Sequence, residues 1–497
     1  MNKKANIYVD YDEKIGNADN RLFSSFVEHM GRAVYGGIYD PQNALSDENG
    51  FRTDVAEYIK ELNVKYVRYP GGNFVSGYDW KNGIGKKEDR PLLPDLAWSL
   101  MEPNEVGVDE FFAWAEKLGL EPIMAVNLGT GTPQSAFELI QYCNGTQGYW
   151  ADLRRKNGRE KPYGVKYWCL GNEMDGEWQI CARTAENYAQ IAKMTAKMLK
   201  DYDPTIKLIF CGSSSSDMKT FPEWEKTVLY QCYDYVDLVS SHKYFSYDKK
   251  SEQAKNEFFG SSDGFDKNIE YLTEIIDEVH KKRLKDFPET KKRNIGIALD
   301  EWNIWYYHEG SDLDKVWVVG AAREENVYTA RDAVVFASLI NSILNHCDSI
   351  EIACYAQLVN VIAPILTQTS GKAIKQTIFY PLKYAANNLS GEVYKCKTDC
   401  DDFKAGKYGK VPSLSVSFVK NENKAYFWIC NLSEETIDAS FIAGENITFN
   451  KAVFMTESDE VNSFENPFNV LPSETEVKDN KLTLLPRTWY FIEGEVK

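Results

Sequence analysis

Apolar runs of strand length alternate with amphipathic stretches along most of the chain. The first run is Leu22–Val27. Asp54–Leu62 follows, with Val55, Tyr58, Ile59 and Leu62 on one helical face. The alternation predicts further strands at Val64–Tyr69, Pro122–Asn127, Gly164–Leu170, Ile206–Cys211, Val236–Ser241, Asn294–Leu299 and Ile350–Tyr355. Between them it predicts helices at Val108–Leu118, Gln134–Cys143, Thr184–Asp201, Pro222–Gln231, Lys267–Lys285 and Tyr328–Asn345. The clearest is Thr184–Asp201: Tyr188, Ile191, Ala192, Thr195, Met198 and Leu199 share a face, Thr184 is the N-cap, and Asp203-Pro204 ends it. The strands are almost continuously apolar, as strands covered on both faces are. Eight such units over roughly residues 20–370 predict an α/β fold, a TIM (β/α)8 barrel. A doubly wound sheet is the alternative. Its nucleotide signatures are missing: Gly129-Thr-Gly131 and Gly83-Ile-Gly85 lack a third glycine, and Gly371-Lys372 is followed by Ala373.

Beyond about residue 380 the texture changes. Val411–Val419, Lys424–Cys430, Thr436–Phe441, Lys451–Met455, Lys481–Leu485 and Trp489–Ile492 read as short strands between polar turns, with no helix predicted among them. This pattern predicts a C-terminal antiparallel β-sandwich of about 120 residues. Asn6–Tyr11, ahead of the barrel, is an isolated strand expected to pair into it. The expected division is therefore an N-terminal strand in 1–18, a barrel in 19–378 and a sandwich in 379–497. Ser246–Phe265, rich in Lys, Glu, Gly and Ser, is expected to be a loop on the barrel rim.

Charge narrows the partners. The formal net charge is −17, which repels a phosphate backbone, so no nucleic-acid partner is expected. The cluster Lys281-Lys282-Arg283 sits at a helix end among acids and reads as solvated surface. No apolar stretch reaches membrane-spanning length and no signal-peptide pattern opens the chain, so a cytoplasmic protein without a membrane partner is expected. The 10 cysteines are scattered, several within apolar strands, which fits free thiols. With no CxxC and 5 dispersed histidines, no metal site is predicted.

Barrel chemistry sits at the C-terminal strand ends. Here the ends read Glu28-His29, Arg68 to Asn73, Asn127 to Thr130, Gly171-Asn172-Glu173, Gly212 to Ser216, His242-Lys243-Tyr244, Asp300 to Asn303, and Gln357 with Asn360. A polar residue after one strand is ordinary turn chemistry. Their repetition at end after end points to a pocket. Glu173 and Glu301 stand out as carboxylates in apolar, Trp-flanked context. Two converging carboxylates in an aromatic cleft are the equipment of glycoside hydrolysis, one held protonated and the other ionised. An enolase-type metal site is the alternative for the same pair.

Trp168-Cys169-Leu170-Gly171-Asn172-Glu173-Met174-Asp175-Gly176, Arg68-Tyr69-Pro70-Gly71-Gly72-Asn73-Phe74, Asp300-Glu301-Trp302-Asn303 and Ala356 to Pro364 resemble glycoside hydrolase family 51, the intracellular α-L-arabinofuranosidases. The resemblance runs over essentially the whole chain. It implies a retaining, exo-acting hydrolase of arabinose-containing oligosaccharides, with Glu173 as acid/base and Glu301 as nucleophile, needing no metal or organic cofactor. It further implies that Asn172 bonds the sugar 2-hydroxyl, that Glu28, Asn73 and Gln357 hold other hydroxyls, and that Tyr244 supports the nucleophile. Trp98, Trp178 and Trp302 are candidates for an aromatic floor. Gly71 and Gly72 are expected to act as turn residues placing Asn73, and His29 to be structural. A homo-oligomer, a hexamer, is implied by the resemblance alone. Lys243 and Gly131-Thr132-Pro133 depart from the common family pattern beside the pocket. Another glycosidic specificity on the same barrel, a β-glucanase or β-xylosidase, is one alternative; a non-catalytic carbohydrate-binding protein is another.

Overall fold

A computed structural model describes residues 2–444 and 446–497. Eight parallel strands close into a barrel: β2 (Ser24–Phe26), β3 (Tyr66–Tyr69), β4 (Glu121–Val126), β5 (Tyr167–Leu170), β6 (Lys207–Phe210), β7 (Leu238–Phe245), β8 (Gly296–Ile304) and β9 (Ile350–Tyr355). Each pairs with its sequence neighbours and β9 closes on β2 through Tyr355 and Ser25. The barrel predicted from the apolar pattern is the fold observed.

Several boundaries shift for local reasons. In the predicted strand Leu22–Val27, Asp19 accepts from Arg21 N and caps a 3-10 turn over Asn20–Phe23, so only Ser24–Phe26 pair. The predicted rim loop Ser246–Phe265 is largely helical. Ser251 caps α7 (Glu252–Phe259), and α8 (Ser261–Asp286) starts six residues before the predicted Lys267. Two helices had no clear sequence period: α4 (Tyr149–Lys156), rich in charge, and α10 (Phe379–Asn388), where Pro381 interrupts the pattern. The remaining barrel helices are α1 (Thr53–Leu62), α2 (Val108–Leu118), α3 (Pro133–Asn144), α5 (Ala185–Tyr202), α6 (Glu223–Cys232) and α9 (Ala330–Asn345). Thr184 caps α5 through Asn187 N, as its sequence proposes.

A nine-stranded, mostly antiparallel sheet forms the second body. It contains β1 (Lys3–Ala18), β10 (Gly391–Thr398), β11 (Leu414–Lys420), β12 (Lys424–Asn431), β13 (Ile437–Ile442), β14 (Ile447–Thr456), β15 (Ser473–Glu476), β16 (Lys481–Leu484) and β17 (Thr488–Val496), in the order β15-β14-β17-β12-β11-β10-β1-β13-β16. β1 runs antiparallel to β10 and parallel to β13. Three strands separate β12 from β13, yet Phe427 and Phe441 rings lie 5.3 Å apart. The sheet therefore folds over on itself and encloses its own core of Ile7, Phe418, Phe427, Phe441 and Ile492.

Helix α9 joins the two bodies. It is buried from Ala330 to Leu344, all the way round. A helix buried on every side, its polar Asp332, Ser338, Asn341 and Ser342 included, belongs between two cores. Barrel residue Trp302 stacks on Phe336 at 4.9 Å, and sheet residue Trp428 donates to Ala337 O at 2.8 Å.

Candidate active site

Strand alternation sets the site. On β8, Asp300 and Glu301 are 1% and 6% exposed at the barrel's C-terminal end. Trp302 points outward into the core against Phe336, fully buried, so it forms no part of a sugar floor. On β7, His242 and Tyr244 turn toward Glu301. Tyr244 donates to Glu301 Oε2 at 2.8 Å, and the Arg68 guanidinium from β3 donates to Oε1 at 2.8 Å. The nucleophile candidate is thus held at both oxygens.

Glu173 leaves β5 in a left-handed conformation, φ +44°, a costly geometry that the surrounding structure must sustain. Its Oε1 accepts from His242 Nδ1 at 2.9 Å and its Oε2 from Trp178 Nε1 at 2.8 Å. Trp178 is half exposed at the mouth. Burial pushes the Glu173 carboxyl above its usual range, and the Glu301 charge adds to that. The bonds from His242 and Trp178 offset part of the rise.

His242 Nδ1 also lies 3.5 Å from Glu301 Oε2, and Nε2 lies 3.4 Å from Asp300 Oδ1. Burial disfavours its cation, but the Glu301 and Asp300 charges outweigh that and raise its pKa well above the ordinary value. The His242 ring therefore sits between the Glu173 and Glu301 carboxyls, in surroundings that favour its cation. Burial opposes ionisation of Asp300, yet Arg68 and His242 prevail and bring it down to about 2. One ligand atom each from Glu173, His242 and Glu301 lie within 4.8 Å of one another, the one such grouping among the described residues. His242 Nδ1 lies between the two carboxyls, within 3.5 Å of an oxygen of each.

Around this centre lies a pocket of about 400 Å³ lined by Glu28, Asn73, Trp98, Glu173, Tyr244, Glu301 and Gln357, among others. Glu28 accepts from Trp98 Nε1 and Phe74 N, both at 2.9 Å, and from Gln357 Nε2 at 3.3 Å. Burial first, then the Glu301 charge, raises the Glu28 carboxyl to about 8. Gly71 has φ +111°, and a Cβ there would sit 2.5 Å from Glu28 Cβ. The turn after β3 thus needs glycine to pass Glu28 and deliver Asn73. Asn172 is buried beside Asn73, accepting from Arg68 Nη2 at 2.6 Å and donating to Asn73 Oδ1 at 3.2 Å. His29 is tied to Glu102 and Tyr69, both at 2.7 Å, and is buried.

Four residues had no role assigned from sequence. Arg68, His242 and Asp300 form the charged frame. Trp305 lines the pocket, meets Tyr244 edge-on at 5.0 Å and donates to Glu324 at 2.8 Å. For Arg68 and Asp300 the signal was available: a charged residue inside an apolar strand demands a partner. For Trp305 nothing separates it from an ordinary loop aromatic.

The chain matches two family profiles, the α-L-arabinofuranosidase 1 domain over residues 58–266 and the α-L-arabinofuranosidase C-terminal domain over residues 300–486. It is 42% identical, over 99% of each chain, to intracellular exo-α-(1→5)-L-arabinofuranosidase 1 of Bacillus subtilis. It is 41% identical, over 85% of this chain and 81% of the other, to an exo-α-(1→6)-L-arabinofuranosidase of Bifidobacterium longum. A solved family 51 α-L-arabinofuranosidase from Bifidobacterium longum superposes with a TM-score of 0.93 at 37% identity, covering 99% of this chain and all of the other.

Proposed function

The chain belongs to glycoside hydrolase family 51, the α-L-arabinofuranosidases, and from that premise we propose that it releases terminal α-L-arabinofuranosyl residues from short arabino- and arabinoxylo-oligosaccharides with retention of configuration. One observation carries the mechanism. A Glu173 oxygen and a Glu301 oxygen lie within 4.8 Å across a single pocket, close to the roughly 5–5.5 Å of retaining enzymes and well short of the roughly 6.5–9.5 Å that an inverting water needs.

Glu301 attacks the anomeric carbon while Glu173 gives its proton to the leaving oxygen. The Glu301 charge is one cause of the raised Glu173 pKa. Once Glu301 is esterified that charge is gone, the Glu173 pKa falls, and the same carboxyl takes a proton from the incoming water. Water attack then frees the sugar and restores Glu301. Glu28, Asn73 and Gln357 are assigned to the sugar hydroxyls, Asn172 to the 2-hydroxyl, and Trp98 and Trp178 to the mouth. We place the enzyme in the cytoplasm, supported by relatives named intracellular.

The test is turnover of an aryl α-L-arabinofuranoside with and without azide. Glu301→Ala and Glu173→Ala should each lose on the order of 10⁴-fold. Azide should return the inverted β-glycosyl azide from Glu301→Ala and the retained α-glycosyl azide from Glu173→Ala. The opposite pairing of products would reverse the two roles; a wild type active only on β-xylosides or β-glucosides would discard the sugar assignment.

A further inference from the structure

Beside the catalytic pocket runs a second, larger groove of about 1,670 Å³, between the loop after β6 and helices α7 and α8. Tyr244 is the partition: it lines both spaces. Along β7 the side chains alternate, so Tyr244 reaches Glu301 while Lys243 turns the other way. The Lys243 ammonium bonds Asp217 at 2.6 Å and Ser216 at 3.1 Å, and thereby ties the end of β7 to the loop after β6.

The far wall comes from the sheet body. A hairpin pairs Asp402–Lys404 with Lys410–Pro412 and presents Lys407 and Tyr408 at its tip. The Tyr408 ring lies on the junction of α7 and α8. A Cβ at Gly264 would come within 2.5 Å of it, and one at Gly260 within 3.0 Å. The hairpin can dock because both positions lack a side chain. The groove is thus a composite of the two bodies.

Its chemistry narrows the occupant. Lys243, Lys267 and Lys407 face Asp217, Asp248 and Glu257, so the lining has no net charge. That balance disfavours a uronic acid or a phosphate. Tyr271 is 43% exposed and meets Phe221 edge-on at 5.4 Å. With Tyr408 it offers the flat faces and hydroxyl handles on which sugar rings stack. Asp175, two residues past Glu173, accepts from Ser214 N and the Thr220 hydroxyl in the loop after β6, so the wall of the groove adjoins the loop of the acid, and a leaving group lies on the side of the acid.

We propose that this groove binds the leaving-group end of the substrate, the second and third neutral pentose units beyond the scissile bond. The proposal rests on the arabinofuranosidase reading. Its test compares three substrates: an aryl α-L-arabinofuranoside, arabinobiose and arabinotetraose. Tyr271→Ala and Tyr408→Ala should raise KM for arabinotetraose about five- to tenfold, with kcat and the two short substrates held within twofold. Tyr271→Phe, which keeps the ring, should restore the wild-type KM. Equal losses on all three substrates, or none on arabinotetraose, overturn the proposal. If the wild type cleaves none of them, the arabinofuranosidase reading fails instead. Calorimetric titration with xylotetraose then decides the groove: binding lost in Tyr271→Ala supports it, and binding that is absent or unchanged in the variant removes it.

Discussion

At the N-terminal end of the barrel, Asp19 pairs with Arg21, and Glu351 with Lys207, beside a cavity of about 1,100 Å³. At the C-terminal end, Glu173, Asp300 and Glu301 share only Arg68 and His242, and Glu28 is held by neutral donors, around about 400 Å³. The basal side chains are 19–47% exposed and two acids meet two bases. The upper ones that touch Arg68 and His242 are 1–12% exposed and acids outnumber bases. Cavity volume does not mark the chemistry, since the larger space lies at the base. Burial combined with an unbalanced tally does, because it leaves protons whose position depends on their neighbours.

That contrast is most severely tested at Arg68. Arg68→Met leaves Asp300 and Glu301 only His242 as a cation, and should cost about 3–5 kcal/mol in a denaturant melt. A midpoint shift below 1 kcal/mol would mean that the upper cluster is as replaceable as the lower. Glu28 comes next. A carboxyl raised from 4.5 to about 8 gives stability that is fully present below the unfolded pKa and lost as pH climbs to the folded one. Glu28→Gln removes that loss, so at pH 8 the variant should exceed wild type by about 4 kcal/mol, while KM rises. Melts of both proteins at pH 4.5 and pH 8 measure it; parallel changes would refute it. A smaller effect belongs to His242, which holds the Glu173 carboxyl down against burial. In His242→Asn the alkaline limb of kcat/KM should move up by about one pH unit, or about 1.4 kcal/mol. A limb that moves down contradicts the bridge. Least of all, Glu351→Gln at the base should change stability by under about 1 kcal/mol and leave turnover of the aryl glycoside as it was.

Much of this was legible from sequence because a barrel strand, covered on both faces, writes itself as an unbroken apolar run and ends where polar residues begin. Glu28, Glu173, Glu301 and Gln357 stand at such ends, and all line the pocket. What escaped the sequence depends on partners far along the chain. Strand alternation turns Trp302 away from Glu301, although both lie in one Trp-flanked carboxylate motif. His242 reads as one polar end among eight until its Nδ1 is placed between two acids. β10 alternates Glu392, Lys395 and Lys397 with few buried residues, so its strand character comes from pairing with β1 and β11. The helical character of α7 hangs on a local cap at Ser251 rather than on periodicity.

Helix α9 has a bearing on heredity. A module hung on an enzyme by a linker can be shuffled, duplicated or discarded by recombination. This sheet cannot. This helix, set between β8 and β9, has given its outward face to Trp428, and its Asn341 and Asn345 amides to the Ser415 and Val416 carbonyls. A gene broken between the bodies would leave a helix with no side fit for water, and the N-terminal strand β1 would be parted from β10 and β13. Barrel and sheet must therefore descend together as one unit.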